Sequence, residues 1–185
     1  ISYEEIKLET STTRLSFGYK INKKSLKLDE YKSQIYLGML LTLAFGSTSL
    51  YREKCEQENL FTELSTNLLS SHSHFLLGVT AITSQKEKLV ESLKKYFNNL
   101  KFSKEDFERI KKVWIANEIK SIDNISATSN DILTDIIDLS EYKNEKIKDI
   151  ESLDYEELTS LTKRINFKKL EKENKLSIIV ISPKN

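Results

Sequence analysis

Cysteine, proline, glycine and histidine are all scarce in this chain. It has one Cys (Cys55), one Pro (Pro183), four Gly and two His among 185 residues. A lone cysteine excludes an internal disulfide and a cysteine-rich zinc site, and fits a reducing, cytoplasmic compartment. Four glycines cannot supply a glycine-rich phosphate loop. His72 and His74 are two residues apart, so the zinc-protease patterns His-Glu-x-x-His and His-x-x-Glu-His are both missing. No stretch reaches the ~18 apolar residues of a membrane span, and no signal-peptide pattern is present. Net charge is also lacking: 29 Lys and Arg face 28 Asp and Glu. Global electrostatics therefore favour neither nucleic acid nor an anionic membrane as a partner. Because residue 1 is Ile rather than Met, the stretch reads as a piece of a longer or processed protein.

What is present is ordinary globular material, 38% hydrophobic and 31% charged, and long enough for one domain with a real core. Residues 1–12 read as a lead-in or edge strand, and 13–185 as a single domain. Arg14 to Ile21 alternates, with Leu15, Phe17, Tyr19 and Ile21 on one face, which predicts a half-buried strand. A basic loop from Asn22 to Lys27 follows. Next comes a helix from about Leu28 to Phe45, with Asp29 and Glu30 in its first turn as the helix dipole favours. It is apolar almost all round from Leu40, the mark of a central buried helix. Gly38 inside it predicts close packing against a neighbour.

Gly46 suits the left-handed residue that closes a helix, and Ser47-Thr48-Ser49 suits the cap of a second helix that ends near Asn59. Leu60–Leu69 and Phe75–Thr83, joined by Ser-His-Ser-His, predict an antiparallel hairpin. Ser84 with Glu87 forms a capping-box pattern, and Ser103 with Asp106 repeats the device. Phe107, Ile110, Trp114 and the Ile119/Ile122 region then mark a long amphipathic helix. Thr128–Leu139 predicts another helix, Tyr142–Ile150 a charged connector, and Asp154 the cap of a helix through Leu158 and Leu161. Phe167 and Leu170 mark a short helical piece. Leu176–Ile181 is a nearly continuous apolar run, expected as a buried last strand that stops at Pro183. Strands and helices are partly segregated. This predicts a two-layer α+β domain with helices packed on one face of a mainly antiparallel sheet.

Reactive chemistry is hard to find. The His72/His74 pair would offer a metal two imidazoles, but no carboxylate flanks it closely, and Ser-His-Ser-His is equally a polar turn. Cys55 stands mid-helix among Lys54, Glu56 and Glu58, where the acids raise a thiol pKa, so helix packing is the expected role. Ser47 and Ser49 lack the Gly-x-Ser-x-Gly elbow, and capping explains them. The pairs Lys94-Lys95, Lys111-Lys112 and Lys168-Lys169 have acids close by and read as solvated helix faces.

Several local patterns taken in order do carry a resemblance. They are Phe17-Gly18-Tyr19 in a strand, Leu43-Ala44-Phe45-Gly46 closing an apolar helix, Ser47-Thr48-Ser49-Leu50-Tyr51, Leu60 leading into a hairpin, and Ser103-Lys104-Glu105-Asp106-Phe107-Glu108-Arg109-Ile110-Lys111. With the closing strand at Pro183, this order resembles one half of a pitrilysin/insulinase-type (M16) peptidase across about residues 13–183. It is most similar to the C-terminal halves of such proteins in low-GC Gram-positive bacteria, in keeping with the Lys, Ile and Asn bias. The resemblance implies homologous α+β half-domains of the M16 metallohydrolase fold that enclose a chamber, with zinc and its catalytic Glu in the other half. It implies no catalytic residue, no metal and no cofactor in this half.

Catalytically competent C-terminal halves carry an Arg and, seven residues later, a Tyr that hydrogen-bond the peptide and the developing oxyanion. Aligning on Ser49-Leu50-Tyr51 and Leu60 places Cys55 at the Arg position and Thr62 at the Tyr position. A frame using Arg52 puts Asn59 at the Tyr position instead. Cys55, Asn59 and Thr62 are therefore the candidate substrate-binding positions, and a thiol cannot replace a cationic fork. The implied function is a non-catalytic chamber wall that supports proteolysis by a zinc-bearing half. Its partners would be a homologous half-domain or subunit and a peptide, with no nucleic acid or membrane. The alternative is a catalytically dead structural or protein-interaction module of the same fold.

Overall fold

Alternation sets the centre of the molecule. In β2 (Arg14–Asn22), Leu15, Phe17, Tyr19 and Ile21 are buried, whereas Arg14, Ser16 and Lys20 face outward. This is the period-two signature of a strand covered on one side. The computed structural model describes residues 2–122, 125–139, 142 and 145–184. Five strands form one sheet in the order β1-β5-β2-β4-β3, with β1 at Ser2–Leu8, β3 at Glu63–Ser70, β4 at His74–Ile82 and β5 at Leu176–Pro183. All pairings are antiparallel except that of β1 with β5. Residues 2–8 are thus an edge strand, exposed along their whole length and fastened by Glu5, which accepts from Lys86 Nζ (2.6 Å) and Ser182 Oγ (2.8 Å).

The helices are α1 (Glu30–Phe45), α2 (Leu50–Gln57), α3 (Lys86–Phe97), α4 (Lys104–Ile122), α5 (Ile125–Leu139), α6 (Lys146–Glu151), α7 (Tyr155–Ile165) and α8 (Phe167–Lys172). They cover the face carrying Leu15, Phe17, Tyr19, Phe75, Leu77, Val79, Ile178 and Val180, all essentially buried. Phe97 of α3 is the hub of this core. Its ring lies 5.7 Å from Phe17, 5.1 Å from Tyr19, 5.2 Å from Phe45 and 5.0 Å from Phe167. The arrangement is the α+β sheet with helices on one face that the element order predicts. α1 is the buried central helix, and a Cβ on its Gly38 would stand 3.2 Å from Trp114 Cη2, the close approach expected there.

Several local expectations are corrected. Asp29 lies outside the first turn of α1 as its N-cap, its carboxylate accepting from Lys32 N at 2.8 Å. The Asn22–Lys27 loop contains a 3-10 turn (Lys23–Leu26) that buries Leu26. Gly46 is not left-handed: its φ is −60° and ψ 162°. Its N–H donates to Thr42 O, and an added Cβ would meet that oxygen at 2.4 Å, so crowding rather than handedness demands glycine. Left-handed closure falls instead to Asn59 (φ 53°) after α2, where Leu60 N donates to Cys55 O in a Schellman arrangement. Ser84 does not cap α3. The N-cap is Gln85, without a side-chain cap bond, and Thr83 Oγ1 accepts from Gln85 N while donating to Leu60 O. By contrast, Ser103 behaves as expected, accepting from Asp106 N and donating to Asp106 Oδ2. β5 is covered on one side only, with Leu176, Ile178 and Val180 buried but Ile179 40% exposed. Within the Tyr142–Ile150 connector, residues 143 and 144 lie outside the described set, and Lys146–Glu151 is helical. α5 begins at Ile125, before the expected Thr128, and the Ile122 side chain is outside the description.

Candidate functional site at the uncovered sheet face

Strand register places the outward-facing side chains in rows. Arg14 of β2 lies beside Ile82 of β4, which lies beside Glu63 of β3. The next row holds Ser16, Thr80 and Ser65, and the one after it Gly18, Gly78 and Asn67. On the other side of β2, Ile181, Ile179 and Ser177 of β5 extend the same rows. Ser65 and Thr80 share a 2.6 Å hydroxyl hydrogen bond across β3 and β4. Ile6, Leu76 and Ile179 stand on this face 38–41% exposed. It is therefore a broad, shallow surface of small residues, hydroxyls and scattered aliphatics.

At the Arg14 end the face deepens into a groove of about 660 Å³ lined by Arg14, Ser16, Arg52, Thr62, Ser65 and Ile82 among others. Arg52 comes from the first turn of α2, which Ser49 Oγ caps by accepting from Arg52 N at 3.1 Å. Its guanidinium pairs with Glu56 (2.9 Å), donates to the Leu64 carbonyl (3.3 Å), and lies 5.8 Å from the Phe61 ring centre. That cation is held against the free edge of β3, the outer strand of the sheet. Arg14 is exposed and, among the described residues, makes no ion pair.

The three candidate positions do not converge. Thr62 is exposed on the groove wall, its N–H bonded to Ile82 O at 2.9 Å. Cys55, seven residues earlier, is 1% exposed and turned toward α3, with Sγ 3.9 Å from Ser92 Oγ. Burial pushes its thiol pKa up, while Tyr51 and Ser92 pull it only partly back. Asn59 is exposed in the turn that ends α2 and does not line the groove. Arg52 and Thr62 are the pair that share the groove.

His72 occupies the β3–β4 turn as the pattern predicts, but His74 is the first residue of β4, paired with Asn22 of β2, with its Nδ1 2.7 Å from Ser73 Oγ. Desolvation and the nearby Lys20 and Lys175 lower the His74 pKa. Among the described residues no group of three or more His, Cys, Asp or Glu side chains is placed to hold a metal ion, and no helix is long and apolar enough to cross a membrane. Arg14, Ser16, Ser65 and Thr80 are the lining residues that motif reading passes over. Their signal is positional, since they are the polar members of strands whose other members fill the core.

No curated protein sequence matches the chain. Solved structures do. A protease from Helicobacter pylori superposes with TM-score 0.74 at 13% identity, covering 98% of this chain and 44% of that one. A peptidase M16 inactive domain from Pseudomonas fluorescens gives 0.66 at 13%, covering 100% and 44%. A chain of complex III2 from Candida albicans gives 0.67 at 12%, covering 98% and 45%. The chain thus spans less than half the length of these structures, and the likeness establishes the fold. The family described as the peptidase M16 inactive domain matches residues 2–113, more than half of the sequence and every element from β1 into α4. On that match, the chain belongs to the M16 peptidase family as its inactive, non-catalytic half-domain type.

Proposed function

We propose that this domain is one wall of a peptide-holding chamber whose zinc and catalytic residues reside in a homologous half, on the same chain or on a partner subunit. The observation that carries the reading is the sheet face left without helices, with its exposed aliphatics and the groove at its Arg14 end. A face of this composition matches an extended peptide, which needs shallow apolar contacts for alternate side chains and hydroxyl or backbone partners for its amides. The edge of β3 supplies the second element, because a peptide added there would take main-chain hydrogen bonds with little regard to sequence.

Of the three positions aligned with the family's Arg–Tyr pair, Thr62 meets the peptide, Asn59 fixes the turn that presents it, and Cys55 supports α2 from behind. Arg52 provides the nearest guanidinium, already engaged with Glu56 and the Leu64 carbonyl, and so positions the strand edge rather than an oxyanion. The domain itself holds no zinc in this reading. The single cysteine supports a cytoplasmic setting, and the Lys, Ile and Asn bias supports an origin in low-GC Gram-positive bacteria.

The test is zinc content and cleavage of quenched-fluorescence peptides by this domain alone, by an M16 half carrying the zinc motif, and by the two together. Cleavage confined to the mixture supports the chamber wall. A stable complex without cleavage overturns it in favour of a structural module of the same fold. Zinc and turnover in this domain alone would overturn both.

A further inference from the structure

Away from the sheet face, a second groove of about 580 Å³ opens in the helical layer, between the α3–α4 connection and the junction of α7 with α8. Its floor is aromatic and aliphatic, drawn from Phe97, Leu100, Phe102 and Phe167. Phe97 and Phe167 are buried parts of the core, whereas Leu100 and Phe102 remain partly exposed to the groove. The walls are pinned to each other, since Tyr155 Oη donates to the Phe102 carbonyl at 2.7 Å. Three lysines line this groove, Lys101 on one wall and Lys163 and Lys168 on the other, and among the described residues no carboxylate lines it. All three are exposed, and none forms an ion pair among the described residues.

The nearest acid on α8, Glu171, is turned away from the opening, its Oε1 accepting from Tyr19 Oη (2.7 Å) and Asn98 Nδ2 (2.9 Å), so the three lysines face the groove without an interleaved carboxylate. Last-turn lysines do complement a helix dipole, and that accounts for Lys163 at the end of α7. It does not account for Lys101, which is in a connection, or for Lys168, which is in the first turn of α8. Cations on both walls with apolar floor between them match a ligand that alternates carboxylates with aliphatic or aromatic side chains.

We propose that this groove docks an acidic amphipathic segment of a partner polypeptide, its carboxylates meeting Lys101, Lys163 and Lys168 and an apolar side chain seated against Leu100 and Phe102. The spread of the cations over two walls favours several carboxylates along a segment over the single headgroup of a fatty acid or lipid. The site is separate from the groove at Arg14, so it stands whether or not the domain serves a peptidase.

The probe is a fluorescein-labelled twelve-residue peptide of alternating Glu/Asp and Leu/Phe, with a control in which Lys replaces every acid, titrated with the 185-residue chain by anisotropy. The acidic peptide is expected to bind with an affinity that falls about tenfold or more between 50 and 200 mM salt, as for any contact carried by several exposed ion pairs. The control should bind at least tenfold more weakly. The triple variant K101E/K163E/K168E should lose at least tenfold in affinity, and Phe102→Ala should lose several-fold. An unchanged circular dichroism spectrum and melting curve for the triple variant would show that the loss is not unfolding, and Lys24→Glu, an exposed charge outside both grooves, should leave the effect of the triple variant unchanged. No effect of the triple variant on the acidic peptide, or binding of anionic lipid vesicles in preference to the peptide, would overturn the proposal.

Discussion

Replacing Gly46 gives a prediction whose sign depends on geometry. At φ −60° any residue is allowed, so backbone entropy alone says that Gly46→Ala should stabilise the domain by about 0.4–1 kcal/mol. The packing says otherwise. A Cβ at this position would stand 2.4 Å from Thr42 O, which is a backbone atom in the last turn of α1 and is held there by the Gly46 N–H. Neither partner can turn aside as a flexible side chain would. Relief requires unwinding that last turn or shifting Ser47–Ser49 and the start of α2, and forced overpacking of this kind costs roughly 1–3 kcal/mol. For a domain of this length each kcal/mol moves the melting temperature by about 2–4 °C, so Gly46→Ala should melt roughly 2–12 °C below the parent. Gly46→Asn separates the two explanations. If the position needed a left-handed backbone, Asn would be the best tolerated replacement. In the observed conformation its Cβ meets the same carbonyl and should cost as much as alanine. Differential scanning calorimetry of the three proteins decides the matter, and a variant that melts at or above the parent temperature would refute the crowding argument.

Other outcomes follow from the same packing. Phe97→Ala removes the ring shared by four aromatic neighbours and should cost about 3–5 kcal/mol, read as a lowered denaturant midpoint with unchanged slope. Asn59→Ala places a β-carbon residue without a local hydrogen-bonding side chain at φ 53° and should cost about 1 kcal/mol, whereas Asn59→Gly should be near neutral in the same urea titration. Hydrogen bonds from Lys86 first and then Ser182 hold the Glu5 carboxyl well below its usual 4.5, at about 2. A depressed carboxyl pKa stabilises above the unfolded value and loses that contribution as pH falls through the folded one. The protection factors of the amides in Ser2–Leu8 should therefore fall between pH 4.5 and 2, and Glu5→Gln should abolish that step.

Much of this architecture can be read from the chain because its determinants are local. The alternation of Leu15, Phe17, Tyr19 and Ile21 requires a one-sided strand wherever it is placed, and the same holds for Phe75, Leu77, Val79 and Ala81. Ser103 and Asp106 satisfy each other within one turn. What escapes sequence reading is non-local. Ser84 and Glu87 have the spacing of a capping box, but Thr83 takes Gln85 N because Leu60 O, across the β3–β4 unit, orients its hydroxyl. Gly46 looks like a left-handed terminus, yet its role is set by where α2 must start. The groove is harder still, since Arg14, Arg52 and Ser65 come from three elements and Thr62 from the connection before β3, and only the tertiary fold brings them together. Alignment by family position names Cys55 and Thr62 together; the helical turn between them points one inward and leaves the other at the surface.

The place of β5 between β1 and β2 bears on how the molecule is made. The two strands nearest the start of the chain are joined only through the one nearest its end. At ~5–20 residues per second a ribosome needs roughly 8–30 s to travel from Asn22 to Leu176. Through that interval β2 and β4 can pair, but the edges of β1 and β2 that β5 will join stay open. A nascent chain in this condition is open to strand exchange with another copy and to chaperones that recognise extended apolar segments. Biogenesis, more than the stability of the finished domain, is therefore where Leu176–Pro183 should prove least tolerant of truncation.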